Sequence, residues 1–297
     1  MSATNSDTCI HTTAGPIEAE VSGSGIPVLI LHGSPGGIDA ACSMSRFLDK
    51  DTFKVICLSR PGYLNTPLPP VHRSIDAEAD LLAALLDALD IPRAGVLAWS
   101  GGGPAAYQLA SRYPDRVACL VSIAALSSAW IAPPKAHMTE RILFGTKLGD
   151  GLLRFLSSKS PKNVIAAALK GEGSLRGDEL DALVEQVMAD AAQRQLVLEI
   201  ALTVNVGGRR KQGWQNDVAN FAAIESLGLE QIQCPVLLIH GDADTDAPPS
   251  CSESAHARLP RSELVMMPRG THLSFYAHPE ASHVQERTRK FLEHAKA

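Results

Sequence analysis

Residues 97–104 read Leu-Ala-Trp-Ser-Gly-Gly-Gly-Pro, and no other stretch restricts the fold of this chain so strongly. An apolar run, Gly95-Val96-Leu97-Ala98-Trp99, leads in. A helix-forming run, Pro104 to Ala110, leads out. Between them Ser100 has small residues two positions away on either side, Ala98 and Gly102. A serine on so tight a strand-to-helix turn is forced toward strained backbone angles, and larger neighbours would clash. The turn lifts the Ser100 hydroxyl above the sheet, beside a helix N-terminus that favours negative charge. A phosphate loop is the competing reading. It would end in Gly-Lys-Ser or Gly-Lys-Thr, which this segment lacks.

The rest of the chain supplies a sheet for that turn. Pro27 to Leu31, Phe53 to Leu58, Gly95 to Trp99 and Val117 to Ile123 are short apolar runs, the pattern of parallel strands buried on both faces. Asp76 to Asp90 carries Leu81, Leu82, Leu85, Leu86 and Leu89 at helical spacing, and a second helix runs from Pro104 to Tyr113. Strands alternating with helices imply a parallel sheet covered on both faces. The rhythm changes at about Ser127. Met138 to Leu156, Lys162 to Lys170 and Glu179 to Thr203 are helix candidates with no convincing strand among them. Strand-helix order returns at Pro235 to Gly241 and Glu263 to Met267, and a helix over Pro279 to Lys296 closes the chain. The expectation is one α/β core, residues 1–126 and 231–297, interrupted by a helical cap over 127–230. Insertions of that length are usually functional.

Composition excludes several classes. The 297 residues are 45% hydrophobic and 20% charged, enough to build a full core. A net charge of −5 without a long basic run argues against nucleic acid or an anionic membrane as partner. No secretory h-region precedes the first strand, and no apolar run of about 18 residues exists to span a bilayer. The six cysteines form no CxxC pair, so they read as small buried thiols of a reducing cytoplasm rather than zinc ligands.

A serine hydroxyl needs a base, a group to orient that base, and donors for an oxyanion. The acid candidate is Asp244, in the turn His240-Gly241-Asp242-Ala243-Asp244-Thr245-Asp246 after a strand. A metal site built from His240, Asp242, Asp244 and Asp246 is a poor match to calcium loops, and no metal is expected. The base candidate is His272, on the loop after the last strand, which gives the chain order Ser100, Asp244, His272. The oxyanion candidates are the main-chain N–H groups of Ser34, in His32-Gly33-Ser34-Pro35-Gly36-Gly37, and of Gly101. His32 is read as a brace for that loop.

These segments, with Ser59-Arg60-Pro61-Gly62-Tyr63, resemble the α/β-hydrolase superfamily over nearly the whole chain. The resemblance implies a mostly parallel eight-stranded sheet, a helical cap over the site and no cofactor. It supports the Ser100, Asp244 and His272 assignment. Leu64 stands where the family's rim turn has a further glycine, and that turn is given no catalytic role.

The expected chemistry is acyl transfer to water, on a small to medium, largely apolar ester, thioester or lactone. Carbon–carbon bond hydrolysis, cofactor-free lyase chemistry or acyl transfer can run on the same three residues. A ligand receptor on the same scaffold is the reading of another class. Fold alone does not decide among them. Trp99, Trp130 and Trp214 are candidates to line the substrate pocket. The segment Gly213-Trp214-Gln215-Asn216-Asp217 reads as structural, with Asn216 or Asp217 capping a helix. Acidic cap residues such as Glu172 and Glu179 read as a solvated face.

Overall fold

The computed structural model describes residues 9–131 and 147–293. Its strands are β1 (Cys9–Thr12), β2 (Gly15–Ser22), β3 (Ile26–Leu31), β4 (Phe53–Leu58), β5 (Ala94–Trp99), β6 (Val117–Ile123), β7 (Val236–Gly241) and β8 (Ser262–Met267). They form one eight-stranded sheet in the order β1-β2-β4-β3-β5-β6-β7-β8. β1 and β2 pair antiparallel, as do β2 and β4, and every later pairing is parallel. β5, β6 and β7 are buried at every position, the consequence of continuous apolar runs covered on two sides.

Helices α1 (Ile38–Met44), α2 (Ile75–Ala88) and α3 (Gly103–Arg112) follow β3, β4 and β5. Between β6 and β7 lie α4 (Lys147–Lys159), α5 (Pro161–Gly171), α6 (Asp178–Ala189), α7 (Ala191–Ala201) and α8 (Lys211–Ala222). α9 (Ser250–Arg258) and α10 (Ala281–Glu293) complete the set. The expected helix from Met138 lies outside the described residues in its first part. The expected helix from Glu179 to Thr203 is two helices. Asp190 breaks it, and its Oδ1 accepts the N–H groups of Ala192 and Gln193 as the N-cap of α7.

One core lies under α2 and α3, with Leu81, Leu85, Tyr107 and Leu109 against Leu29, Val96 and Leu120. On the other sheet face, Leu97, Val121, Leu237 and Ile239 share a single cluster with Ile165, Leu169, Leu183, Val187 and Ile200 of the inserted helices. The insert is therefore joined to the sheet by a continuous apolar interior. Among the described residues, the buried aliphatic side chains of the insert build that interior, and none of them lines the cavity at Ser100. Of the cysteines, Cys57, Cys119, Cys234 and Cys251 are buried, Cys9 and Cys42 are partly buried, and all are free thiols. Among the described residues, no helix is long and apolar enough to cross a membrane.

Candidate active site

Ser100 follows directly on β5 and holds φ at 54°, in the left-handed region that a non-glycine residue adopts at a cost. A short 3-10 turn over Ser100–Gly102 passes straight into α3, so the serine sits at a helix start. The small neighbours are explained by what surrounds them. A methyl group at Gly102 would come within 2.7 Å of the Leu31 carbonyl oxygen. One at Gly101 would come within 2.6 Å of Ser34 Oγ and 2.9 Å of the Phe221 ring. Ala98 packs its methyl into the core under α2 and α3, which is why alanine is tolerated there.

The Asp244 and His272 side chains meet at the ends of β7 and β8. His272 Nδ1 donates to Asp244 Oδ2 over 2.7 Å. Asp244 Oδ1 accepts the N–H groups of Asp246 (2.8 Å) and Ala247 (3.0 Å), and His240 Nε2 stands 3.2 Å from Oδ2. Burial alone would raise the Asp244 pKa, but His272 and His240 outweigh it and hold the carboxyl well below its usual range. Burial alone would lower the His272 pKa, yet the Asp244 carboxylate overcomes this and pushes it up to about 10. Trp99 does not line the cavity at Ser100. Its ring lies against His272, centroids 5.1 Å apart, and its Nε1 donates to the His272 carbonyl over 3.4 Å. It braces the imidazole instead.

Among the described residues, no hydrogen bond joins Ser100 Oγ to His272 Nε2, a contact that commonly tightens only with substrate bound. The other side of His272 Nε2 faces Asp246, whose Oδ2 is 3.6 Å away. The cavity at Ser100 measures about 30 Å³ and includes Ser34, Gly101 and Asp246. Trp130, Trp214 and Phe221 wall it. That volume is on the order of one or two water molecules. A larger cavity of about 360 Å³ lies between α6 and the segments flanking His272, lined by Leu183, Arg269 and His278. Neither Ser100 nor Asp244 borders it.

The strand-end loop after β3 is held by its histidine. His32 Nδ1 donates to the Gly33 carbonyl (2.7 Å), and Nε2 accepts the Arg60 N–H (3.0 Å). Burial, reinforced by the Arg60 charge, lowers its pKa well below the ordinary histidine value, so the ring is neutral in this bracing role. The Ser34 hydroxyl donates to Asp217 Oδ2 and lies 3.2 Å from both Tyr63 Oη and Arg60 Nη1.

Asp217, Arg60 and Glu172 were not assigned site roles from sequence. Asp217 is inside α8, not its cap, and is buried. Asn216 is no cap either, since its side chain donates to the Arg73 carbonyl. Glu172 is no part of a solvated face. Its carbonyl accepts the His272 N–H over 3.0 Å, and its Oε2 is buried without a hydrogen-bond partner. The next residues continue the strap: Gly173 bridges to Asp244, and Ser174 N–H donates to the Ala243 carbonyl. Of the four residues weighed as metal ligands, His240 and Asp244 lie together, 3.2 Å apart, and Asp242 turns away. Asp242 Oδ1 turns out to accept the Arg269 N–H over 2.5 Å, while Asp244 turns in to His272.

The structure thus brings a left-handed serine at a helix start into the same fold end as a buried Asp–His pair at neighbouring strand ends. The chain belongs to the alpha/beta hydrolase fold family, whose model matches residues 26–279. A solved alpha/beta hydrolase fold protein from Nakamurella multipartita superposes with a TM-score of 0.94 at 41% identity, covering 97% of this chain and 99% of that one. A pimeloyl-[acyl-carrier protein] methyl ester esterase of Neisseria meningitidis serogroup B (strain H44/76) is 31% identical over 77% of this chain and 80% of its own length. A putative 2-succinyl-6-hydroxy-2,4-cyclohexadiene-1-carboxylate synthase of Bacillus subtilis (strain 168) is 26% identical over 82% of this chain and 83% of its own length. The protein is an enzyme, a hydrolase acting on small molecules.

Proposed function

We propose that this hydrolase cleaves an ester, thioester or lactone through an acyl-enzyme on Ser100. His272 removes the Ser100 proton as the hydroxyl attacks the carbonyl. Asp244 fixes the tautomer with Nδ1 protonated and stabilises the imidazolium that forms. The N–H groups of Ser34 and Gly101 receive the oxyanion, and the start of α3 adds its dipole. His272 then protonates the leaving alcohol, and water repeats the sequence to release the acid. The helices between β6 and β7 act as the cap, with Trp130 and Trp214 as the part of the wall a substrate meets.

The observation that carries this reading is the 2.7 Å His272–Asp244 hydrogen bond at the ends of β7 and β8, in the same sheet whose β5 leads directly into a serine with φ of 54°. The water-sized cavity favours short acyl groups. The test is hydrolysis of p-nitrophenyl esters of increasing chain length by the wild type and Ser100→Ala. Turnover greatest for acetate and lost by on the order of 10⁴-fold in the variant supports the reading. A Ser100→Ala protein as active as the wild type overturns it. Carbon–carbon bond cleavage or lyase chemistry is the second reading, favoured by the synthase name of the Bacillus subtilis relative. It gains ground if esters are inert while Ser100 remains accessible to an organophosphonate.

A further inference from the structure

Asp246 is the only charged side chain among the described residues that line the cavity at Ser100. Its side chain is half exposed, and its Oδ2 is 3.6 Å from His272 Nε2. That nitrogen is the one left free by Asp244, and in the serine mechanism it hands a proton to the departing alcohol. Whatever stands beside Nε2 therefore stands beside the alcohol part of an ester. Asp246 is fixed there by its main chain. Its N–H donates to Asp244 Oδ1 (2.8 Å), and its carbonyl accepts Trp130 Nε1 (3.1 Å).

Little offsets this negative charge. The groups that face His272 are Asp244 from the turn after β7, Asp246 from the same turn, and Glu172 from the strap after α5. Each is a carboxyl. The guanidinium of Arg60, on the oxyanion-loop side, is already shared between Glu78 and Asp217, with hydrogen bonds of 2.6 Å and 2.9 Å. The leaving-group side of the cavity thus carries a carboxylate whose charged partner, His272, is already committed to Asp244.

We propose that Asp246 sets the charge of the substrate's alcohol part: the site accepts esters whose alcohol is uncharged or carries an ammonium group, and rejects those whose alcohol bears a carboxylate. The inference rests on the serine-hydrolase reading of the site. A unit charge several ångströms from Asp246, in a half-buried cavity, changes kcat/KM by about an order of magnitude in either direction, and salt weakens the effect.

The test uses three acetyl esters of similar size: acetylcholine, its uncharged isostere tert-butylethyl acetate, and acetoxypropanoate. Acetate release is followed by pH-stat for the wild type, Asp246→Asn and Asp246→Ser. The readout is the ratio of kcat/KM among the three esters within each protein. Any general loss of activity, or any change in His272 basicity, cancels in that ratio. We expect the wild type to prefer the cation over the isostere, and the isostere over the anion by about tenfold. Both variants should compress the whole series to within about twofold, and added salt should compress it in the wild type alone. Wild-type ratios that persist in both variants, or a wild-type preference for acetoxypropanoate, overturn the proposal. If no ester is turned over by the wild type, and Ser100→Ala is equally inert, the serine-hydrolase reading falls and this inference falls with it.

Discussion

Asp217 on α8 and Arg60 in the loop after β4 form a two-pronged ion pair. Guanidinium Nη1 and Nη2 each donate to a different carboxylate oxygen over 2.9 Å. Neither side chain is more than 4% exposed. Asp217 also accepts the hydroxyls of Tyr63 (2.6 Å) and Ser34, so one residue of α8 ties the insert to the loops after β3 and β4. Burial alone would weaken the Arg60 charge, but Asp217 and Glu78 outweigh it and hold the guanidinium firmly protonated. Neutralising Asp217 takes away one of the two carboxylates that hold this buried guanidinium and leaves Glu78 as its remaining charged partner. Asp217→Asn is expected to cost about 3 kcal/mol in urea unfolding and to lower kcat more than it raises KM. A loss below about 1 kcal/mol, the scale of an exposed pair, would show that the pair contributes little.

His272 gives a pH prediction with a definite sign. Its pKa is raised above the ordinary 6.5 to about 10, and only the neutral ring can accept the Ser100 proton. The acid limb of kcat/KM is expected to lie above pH 6.5, with activity still rising through the alkaline range. A profile already flat at pH 6.5 would contradict the arrangement. Stability runs the other way. A raised histidine pKa contributes stability that is complete below the unfolded value and lost as pH climbs through the folded one. Asp244, with its pKa lowered, contributes stability above the unfolded carboxyl value that is lost as acid protonates it.

Glu172 is the opposite case. Burial raises its pKa to about 8, and Oε2 has no hydrogen-bond partner. The folded state therefore binds a proton that the unfolded chain has released, so stability falls as pH rises from about 4.5 toward 8. Glu172→Gln removes that penalty while keeping the shape. The variant is expected to melt higher than the wild type at pH 8, with the gap closing toward pH 5. Equal melting temperatures at both pH values would mean that the carboxyl is satisfied in solution.

The strands from β3 to β8 were legible because each is built on a short, mainly apolar run, with Lys54 in β4 and Glu263 in β8 as isolated charged residues. β1 and β2 were not, because β1 is only four residues of mixed polarity and Pro16, Glu18 and Glu20 keep β2 from forming an apolar run. Gly213 to Asp217 read as the cap of a helix, whereas all five residues lie inside α8. Gly213 is glycine because the Tyr63 ring lies where a side chain would start, and its N–H donates to the Gly62 carbonyl over 3.0 Å. Such a contact joins distant parts of the chain and leaves no periodicity behind. The same limit applies at the site. Ser100, Asp244 and His272 follow strand ends in a fixed order, which a sequence displays. Glu172, Asp217 and Asp246 acquire meaning only from what the fold sets beside them.

Gly101 gives the sharpest test of the oxyanion arrangement. A methyl group there would meet Ser34 Oγ at 2.6 Å and Ser34 Cβ at 2.8 Å, with the Phe221 ring at 2.9 Å. Ser34 cannot retreat easily, because its hydroxyl is tied into the buried cluster of Asp217, Tyr63 and Arg60. Nor can Phe221, which is 2% exposed. On the proposed oxyanion arrangement, relieving these contacts in Gly101→Ala shifts the Ser34 and Gly101 N–H groups relative to each other. Loss of one oxyanion donor typically costs about 10²–10³ in kcat. We expect a fall of that size with acetate esters, with KM changed less than kcat. Overpacking should add a destabilisation of about 1–3 kcal/mol. Affinity for a tetrahedral boronate should drop in step with kcat, because the boronate requires the same two donors. A variant that keeps its boronate affinity while losing turnover would place the oxyanion donors elsewhere.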